Sequence, residues 1–172
     1  MAHGAITGTD GADDLAAGEA LAAALDLELL PLEGGLFRRT FTGGGATVIL
    51  FMLVGDDFSA MHRLHSDEIY LHHAGAPLRL LLIDPQGARQ EVLVGSDALA
   101  GQHPQFHVPA NWWQGSSVGA SGGRAAWSLL STVVSPGFDW HDFVLGDRDF
   151  LVGLCPDAAE RITELTRDQP LL

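Results

Sequence analysis

The stretch from Gly55 to Gly75 reads GDDFSAMHRLHSDEIYLHHAG and brings His62, His65, Glu68, Tyr70 and His72 close together in the chain. An imidazole changes charge near neutral pH, a buried carboxyl is driven up in pKa by desolvation, and a phenol can supply a proton. Placed in one enclosed space, His62, Glu68 and Tyr70 are the candidate catalytic residues for acid–base chemistry. Further on, PANWWQ at 109–114 adds Trp112 and Gln114. With His72 and Gln105 these are candidate ligand-binding groups. Arg38 joins them, because a guanidinium holds a carboxylate or phosphate through two parallel hydrogen bonds.

Other chemistries find less support. Two histidines and a carboxylate can hold a divalent cation, and His62, His65 and Glu68 are the set that would do so. His65 sits beside Ser66-Asp67 in what reads as a bend, a place more often exposed than ligating. His72 and His73 cannot both face the interior of a strand pair. The run Gly43-Gly44-Gly45 is followed by no Lys-Ser/Thr and no helix start, so it reads as a turn rather than a phosphate loop. No G-x-S-x-G elbow is present for a nucleophilic serine. Cys155 is the single cysteine, which excludes an internal disulfide and reads as core filler.

The elements that must position these groups follow from composition and pattern. The chain has 172 residues, 47% of them hydrophobic and 18% charged, enough for one core without a staple. Between Leu36 and Val134, glycines and prolines punctuate short apolar or alternating runs. The runs are 36–42, 47–53, 59–64, 68–73, 78–84, 90–94, 105–108, 113–118 and 125–134. About nine strands with turn-length links and no intervening helix predict an all-β sandwich or barrel. Helix is expected at Leu15–Leu25, capped by Asp13 or Asp14, at Asp147–Leu154, and after a capping box of Asp157 and Glu160. The expected organisation is a flexible tail over 1–14, a barrel over 15–155 and a helical tail over 156–172.

Strand parity then selects faces. If Glu68 points inward, Tyr70 and His72 share its side while Ile69, Leu71 and His73 face outward, and His62 shares a side with Ala60 and Leu64. A small barrel of this size holds one small ligand among apolar walls.

Four segments, LEGGLFRR at 32–39, HRLHSDE at 62–68, PANWWQ at 109–114 and SPGFDWHDF at 135–143, resemble motif blocks of the cupin superfamily. Within it they are most similar to the subfamily catalogued as DUF985, with blocks HR-x-x-SDE, PEGG-x-FR, P-x-G-x-WQ and APGF-x-x-x-DF. The resemblance covers about residues 25–154 and implies a jelly-roll barrel, the double-stranded β-helix, with short helices at both ends. There are departures: Leu30 and Leu32 replace a Pro pair, Pro31 stands where a His is usual, and Asn111 replaces the motif Gly. In metal-binding cupins three His and one Glu hold iron, manganese, nickel or zinc, and the position of Gln114 supplies one of those His. The spacing to Glu68 puts His62 at the first ligand place and Leu64, not His65, at the second. The resemblance therefore implies no cofactor, with a divalent Fe, Mn, Ni or Zn ion only if His65, His72 or His107 swings inward.

The expected function is binding of a small polar metabolite in the barrel with non-oxidative acid–base chemistry of isomerase or epimerase type. Deoxysugar epimerases of the superfamily use a His base and a Tyr acid, similar in kind to His62 and Tyr70. The alternatives are a ligand-binding cupin without turnover and a metal-dependent enzyme such as a dioxygenase. Cupins commonly pair through N-terminal strands and sheet edges, which implies a homodimer. Twenty-two Asp and Glu against nine Arg and no Lys give a net charge of −13, which repels nucleic acid and anionic membranes. No signal segment or apolar span is read, so a cytoplasmic location is expected.

Overall fold

The computed structural model describes residues 11–119, 127–169 and 171; most of the expected N-terminal tail and His3 lie outside them. The strands are β1 (Glu28–Leu29), β2 (Leu36–Gly43), β3 (Ala46–Val54), β4 (Phe58–Leu64), β5 (Asp67–Gly75), β6 (Leu78–Ile83), β7 (Arg89–Val94), β8 (Gln105–Val108), β9 (Trp113–Val118), β10 (Trp127–Ser135) and β11 (Phe143–Leu145). They form two antiparallel sheets, a six-stranded one in the order β1-β2-β3-β10-β5-β8 and a five-stranded one in the order β11-β4-β9-β6-β7. This is a jelly roll: consecutive strands repeatedly cross from one sheet to the other, and the closed space lies between the two inner faces.

One such crossing matters most. The segment carrying His62 and Glu68, which reads as a hairpin in sequence, is a corner between the sheets. β4 pairs with β9 and β11, whereas β5 pairs with β10 and β8. His62 and Glu68 therefore approach the interior from opposite walls. Asn111 completes the frame at the start of β9. Its φ of 67° is the left-handed conformation that asparagine tolerates better than most residues, so it stands in for the motif glycine. Its amide N–H bonds the Leu64 carbonyl at 2.7 Å, fixing the end of β4.

Packing explains why one half of the interior is solid and the other hollow. Phe51, Leu53, Tyr70, Leu78, Leu80, Leu82, Val94 and Leu130 fill the space between the sheets at one end. The outer face of the five-stranded sheet buries Met61, Leu81, Ile83 and Trp113 under α2 (Arg148–Leu154) and α3 (Ala159–Glu164), through Leu151, Ile162 and Leu165. The outer face of the six-stranded sheet receives α1 (Gly11–Ala24) on Met52 and Leu129.

α1 begins four residues before the expected Leu15, so Asp13 and Asp14 lie in its first turn rather than at its cap. There their charge meets the positive end of the helix dipole. The expected capping box at Asp157 and Glu160 does not form: a 3₁₀ turn over Pro156–Ala158 leads into α3, which has no side-chain cap. Among the described residues no helix is long and apolar enough to cross a membrane.

Candidate functional site

The hollow end of the barrel is a cavity of about 80 Å³. That is room for a few heavy atoms, well below the roughly 300–1,000 Å³ of drug-sized sites. Its walls are Phe37 and Arg39 of β2, Thr47 and Ile49 of β3, His62 and Leu64 of β4, Glu68 of β5 and Thr132 and Val134 of β10. Leu30 and Glu33 from the β1–β2 link, and Phe138 and Trp140 from the β10–β11 link, close the remaining sides. Arg39 and Trp140 are exposed and mark the rim.

His62 is 1% exposed, and its ring stacks on Phe143 at 5.2 Å between centroids. Its Nδ1 lies 2.7 Å from the Ala60 carbonyl, which can only accept, so Nδ1 carries a hydrogen. In its neutral form the ring therefore presents the lone pair of Nε2 to the cavity. Glu33 Oε2 stands 3.9 Å from that nitrogen, while its Oε1 accepts the Ser59 hydroxyl at 2.7 Å.

Glu68, from the opposite sheet, accepts the Gln114 side-chain amide on Oε2 at 2.7 Å, and Gln114 Oε1 accepts the Tyr70 hydroxyl at 3.1 Å. Burial pushes the Glu68 carboxyl up; His62 opposes this and Glu33 adds to it, while hydrogen bonds from Thr132 and Gln114 favour the charged form. Burial, with the neighbouring Glu68 and Glu33, raises Tyr70 well above the ordinary phenol value, so it remains a neutral donor.

Of the residues singled out from sequence, the cavity brings together His62 and Glu68. Tyr70 is buried in the packed half, behind Gln114, and does not line the hollow. Arg38 is exposed on the other face of β2, because Phe37 points inward and the pleat then turns Arg39, not Arg38, to the same side. His72 turns its Nε2 to the Ala76 carbonyl at 3.0 Å, and its buried Nδ1 has no partner among the described residues. Gln105 is exposed on the edge strand β8, and Trp112 packs against the solid core. His65 lies outside, 3.6 Å from Asp142, and His107 pairs with Asp67 at 3.0 Å on the surface. The set His62, His65 and Glu68 is therefore not assembled.

Glu33 is a wall residue that pattern reading missed. It lies in a loop, where no periodicity marks a face, and the only signal is the Glu-Gly-Gly run itself. Gly34 has φ 93°, and a Cβ there would sit 2.6 Å from the Phe58 carbonyl oxygen, so the turn requires glycine. Arg167, near the C-terminus, clamps this loop. It donates to the Glu33 carbonyl at 2.7 Å, to Asp57 at 2.7 Å and to the Phe58 carbonyl at 2.8 Å, while Asp57 accepts the Gly35 amide.

The family described as Cupin superfamily (DUF985) matches residues 19–146. The chain belongs to the cupin superfamily. A hypothetical protein from Leishmania major of solved structure is 32% identical to this cupin, with a TM-score of 0.80, over 87% of this chain and 98% of that one. A crystal structure of a protein from Shewanella oneidensis is 31% identical, with a TM-score of 0.79, over 94% and 100%. Oxalate decarboxylase from Bacillus subtilis is 12% identical, with a TM-score of 0.56, over 86% of this cupin and 39% of that chain, a likeness of fold alone. One structure of that decarboxylase is described through its Mn(II) centres. No curated protein matches.

Because the fold family includes metal-holding members, the donor set of this cupin has to be weighed. On the cavity wall, His62 Nε2 is the imidazole nitrogen on offer. Gln114 lies opposite His62 in the β4–β9 register and turns an N–H donor, not a lone pair, toward Glu68. Among the described residues no three His, Cys, Asp or Glu are placed to share an ion. This donor set lacks the ligand cluster that would hold a metal ion.

Proposed function

We propose that this cupin binds one small polar metabolite in the cavity and moves a proton on it without redox change, as an isomerase or epimerase does. The observation that carries this reading is that His62 Nε2 and the Glu68 carboxyl face the same hollow from opposite sheets. A group that can take a proton then stands across the ligand from one that burial favours in its protonated form. His62 removes a proton from the ligand at Nε2, and its Nδ1–H to Ala60 holds the ring in that tautomer. Glu33 stabilises the imidazolium so formed. Glu68 gives its O–H proton to the opposite face, the geometry that inversion at one carbon needs. Gln114 and Tyr70 fix the direction of the Glu68 carboxyl from behind and touch no ligand.

Binding without turnover is the second reading, favoured by the satisfied chain from Tyr70 through Gln114 to Glu68. Two measurements separate the two: mass spectrometry of what the folded protein retains, then turnover of that compound by wild type and His62→Gln. Conversion by the wild type alone supports catalysis, and a compound held unchanged supports binding only.

A homodimer is supported by the free edge of β2. β1 covers only Leu36 and Phe37, leaving Arg38 to Gly43 without a strand partner on that side among the described residues, with Phe41 51% exposed. Light scattering on the eluting species tests it, with twice the chain mass expected.

A further inference from the structure

The depth of the cavity offers acceptors where a ligand would be held. Glu33 spends Oε1 on Ser59 and keeps Oε2, and His62 spends its Nδ1 hydrogen on Ala60 and keeps the Nε2 lone pair. Glu68 adds a second carboxyl. Among the described residues the only guanidinium on the wall is that of Arg39, at the exposed rim. A carboxylate or phosphate would enter beside Glu33 with no buried guanidinium among the described residues to receive it.

Glu33 Oε2 and His62 Nε2 are 3.9 Å apart, too far to bond one another and close enough for one ligand atom to reach both. With Nε2 unprotonated, that atom must donate twice. A hydroxyl has one hydrogen to give; an amine or ammonium has two or three. Phe37, Phe138 and Trp140 line the same walls with aromatic rings, whose electron-rich faces attract organic cations.

We infer that the ligand is a small organic amine, bound as its ammonium form with the head between Glu33 and His62 and a short apolar remainder against Leu30, Ile49 and Leu64. This rests on reading the cavity as the ligand site, and it favours binding without turnover, because an ammonium N–H on Nε2 occupies the lone pair that would take a proton from carbon.

The test uses the whole protein labelled with ¹⁵N-histidine, the His62 ring signal being assigned by its loss in His62→Gln. Propylammonium, 1-propanol and propionate, matched in size, are titrated in turn. Propylammonium is expected to shift the His62 signal saturably, with an affinity roughly tenfold or more above either of the others, and Glu33→Gln is expected to weaken it by a similar factor. The inference is overturned if propanol or propionate binds as well, or if Glu33→Gln leaves propylammonium unaffected. Should Glu33→Gln not fold, the three ligands on the wild type decide alone. If propanol or propionate binds and propylammonium does not, the amine assignment falls while the ligand cavity stands. If none moves the His62 signal, both fall.

Discussion

Gln114, on the five-stranded sheet, gives its side-chain amide to the carboxyl of Glu68 on the six-stranded sheet across 2.7 Å of the barrel interior. This bond ties the two walls together beside the cavity. It also spends a carboxylate oxygen on a protein donor, at the position where metal-binding cupins carry a histidine.

Glu68→Gln should be more stable than the wild type at neutral and alkaline pH. Burial raises the folded-state carboxyl above its unfolded value, so the folded protein holds its proton where the unfolded chain has lost it. Wild-type stability is then fully present below the ordinary glutamate value, about 4.3, and falls as pH rises through the folded value. Each pH unit between the two values is worth about 1.4 kcal/mol. Denaturant titrations of both proteins from pH 4 to 9 should converge at the acid end and separate above it. A separation that does not depend on pH would contradict the assignment.

Tyr70→Phe keeps the packed ring and removes one hydroxyl, leaving the buried Gln114 amide oxygen without its donor. The cost should be about 1–3 kcal/mol in urea unfolding. Near-neutral unfolding would show that the hydroxyl does not hold Gln114.

Arg167→Ala removes three charge-assisted hydrogen bonds that tie the Glu33 carbonyl to Asp57 and Phe58. The Ala60 amide, which donates to the Glu33 carbonyl at 2.8 Å, should then exchange with solvent faster. Hydrogen exchange resolved by residue reads this directly. Acceleration confined to the C-terminal helices, with Ala60 unchanged, would mean that Arg167 does not position Glu33.

The arrangement of strands was legible because glycine and proline punctuation marks turns whatever the packing, and because burial alternates over Asp67–Leu71 of β5. Parity put Glu68, Tyr70 and His72 on one face of β5. It could not give depth: Tyr70 lies one pleat further along than Glu68, where Leu80, Leu82 and Leu130 fill the barrel. The sequence FRRTF does not alternate, so nothing told Arg38 from Arg39 until Phe37 was seen to point inward. The corner between β4 and β5 looked like a hairpin because a short link reads alike whether it joins neighbours or crosses between sheets. Glu33 depends on a positive-φ loop held by a residue more than a hundred positions away, a contact no local pattern encodes.

Chelation should leave this cupin unaffected, since among the described residues no three His, Cys, Asp or Glu are placed as a ligand cluster. Elemental analysis of protein purified without added metal should find a small fraction of an equivalent of Fe, Mn, Ni or Zn. Dialysis against a chelator should leave the thermal midpoint unchanged. A stoichiometric ion whose removal lowers the midpoint would overturn this reading of the donor set.

The proton-transfer role of His62 is tested most directly by solvent exchange. The compound released from the purified, denatured protein is offered back in D₂O to wild type and to His62→Gln, and deuterium at carbon is followed by NMR. Rapid uptake at one C–H position with the wild type, and loss of that uptake in His62→Gln, is the expected result. A compound that gains no deuterium from the wild type, or gains it equally from both proteins, would contradict acid–base chemistry at His62.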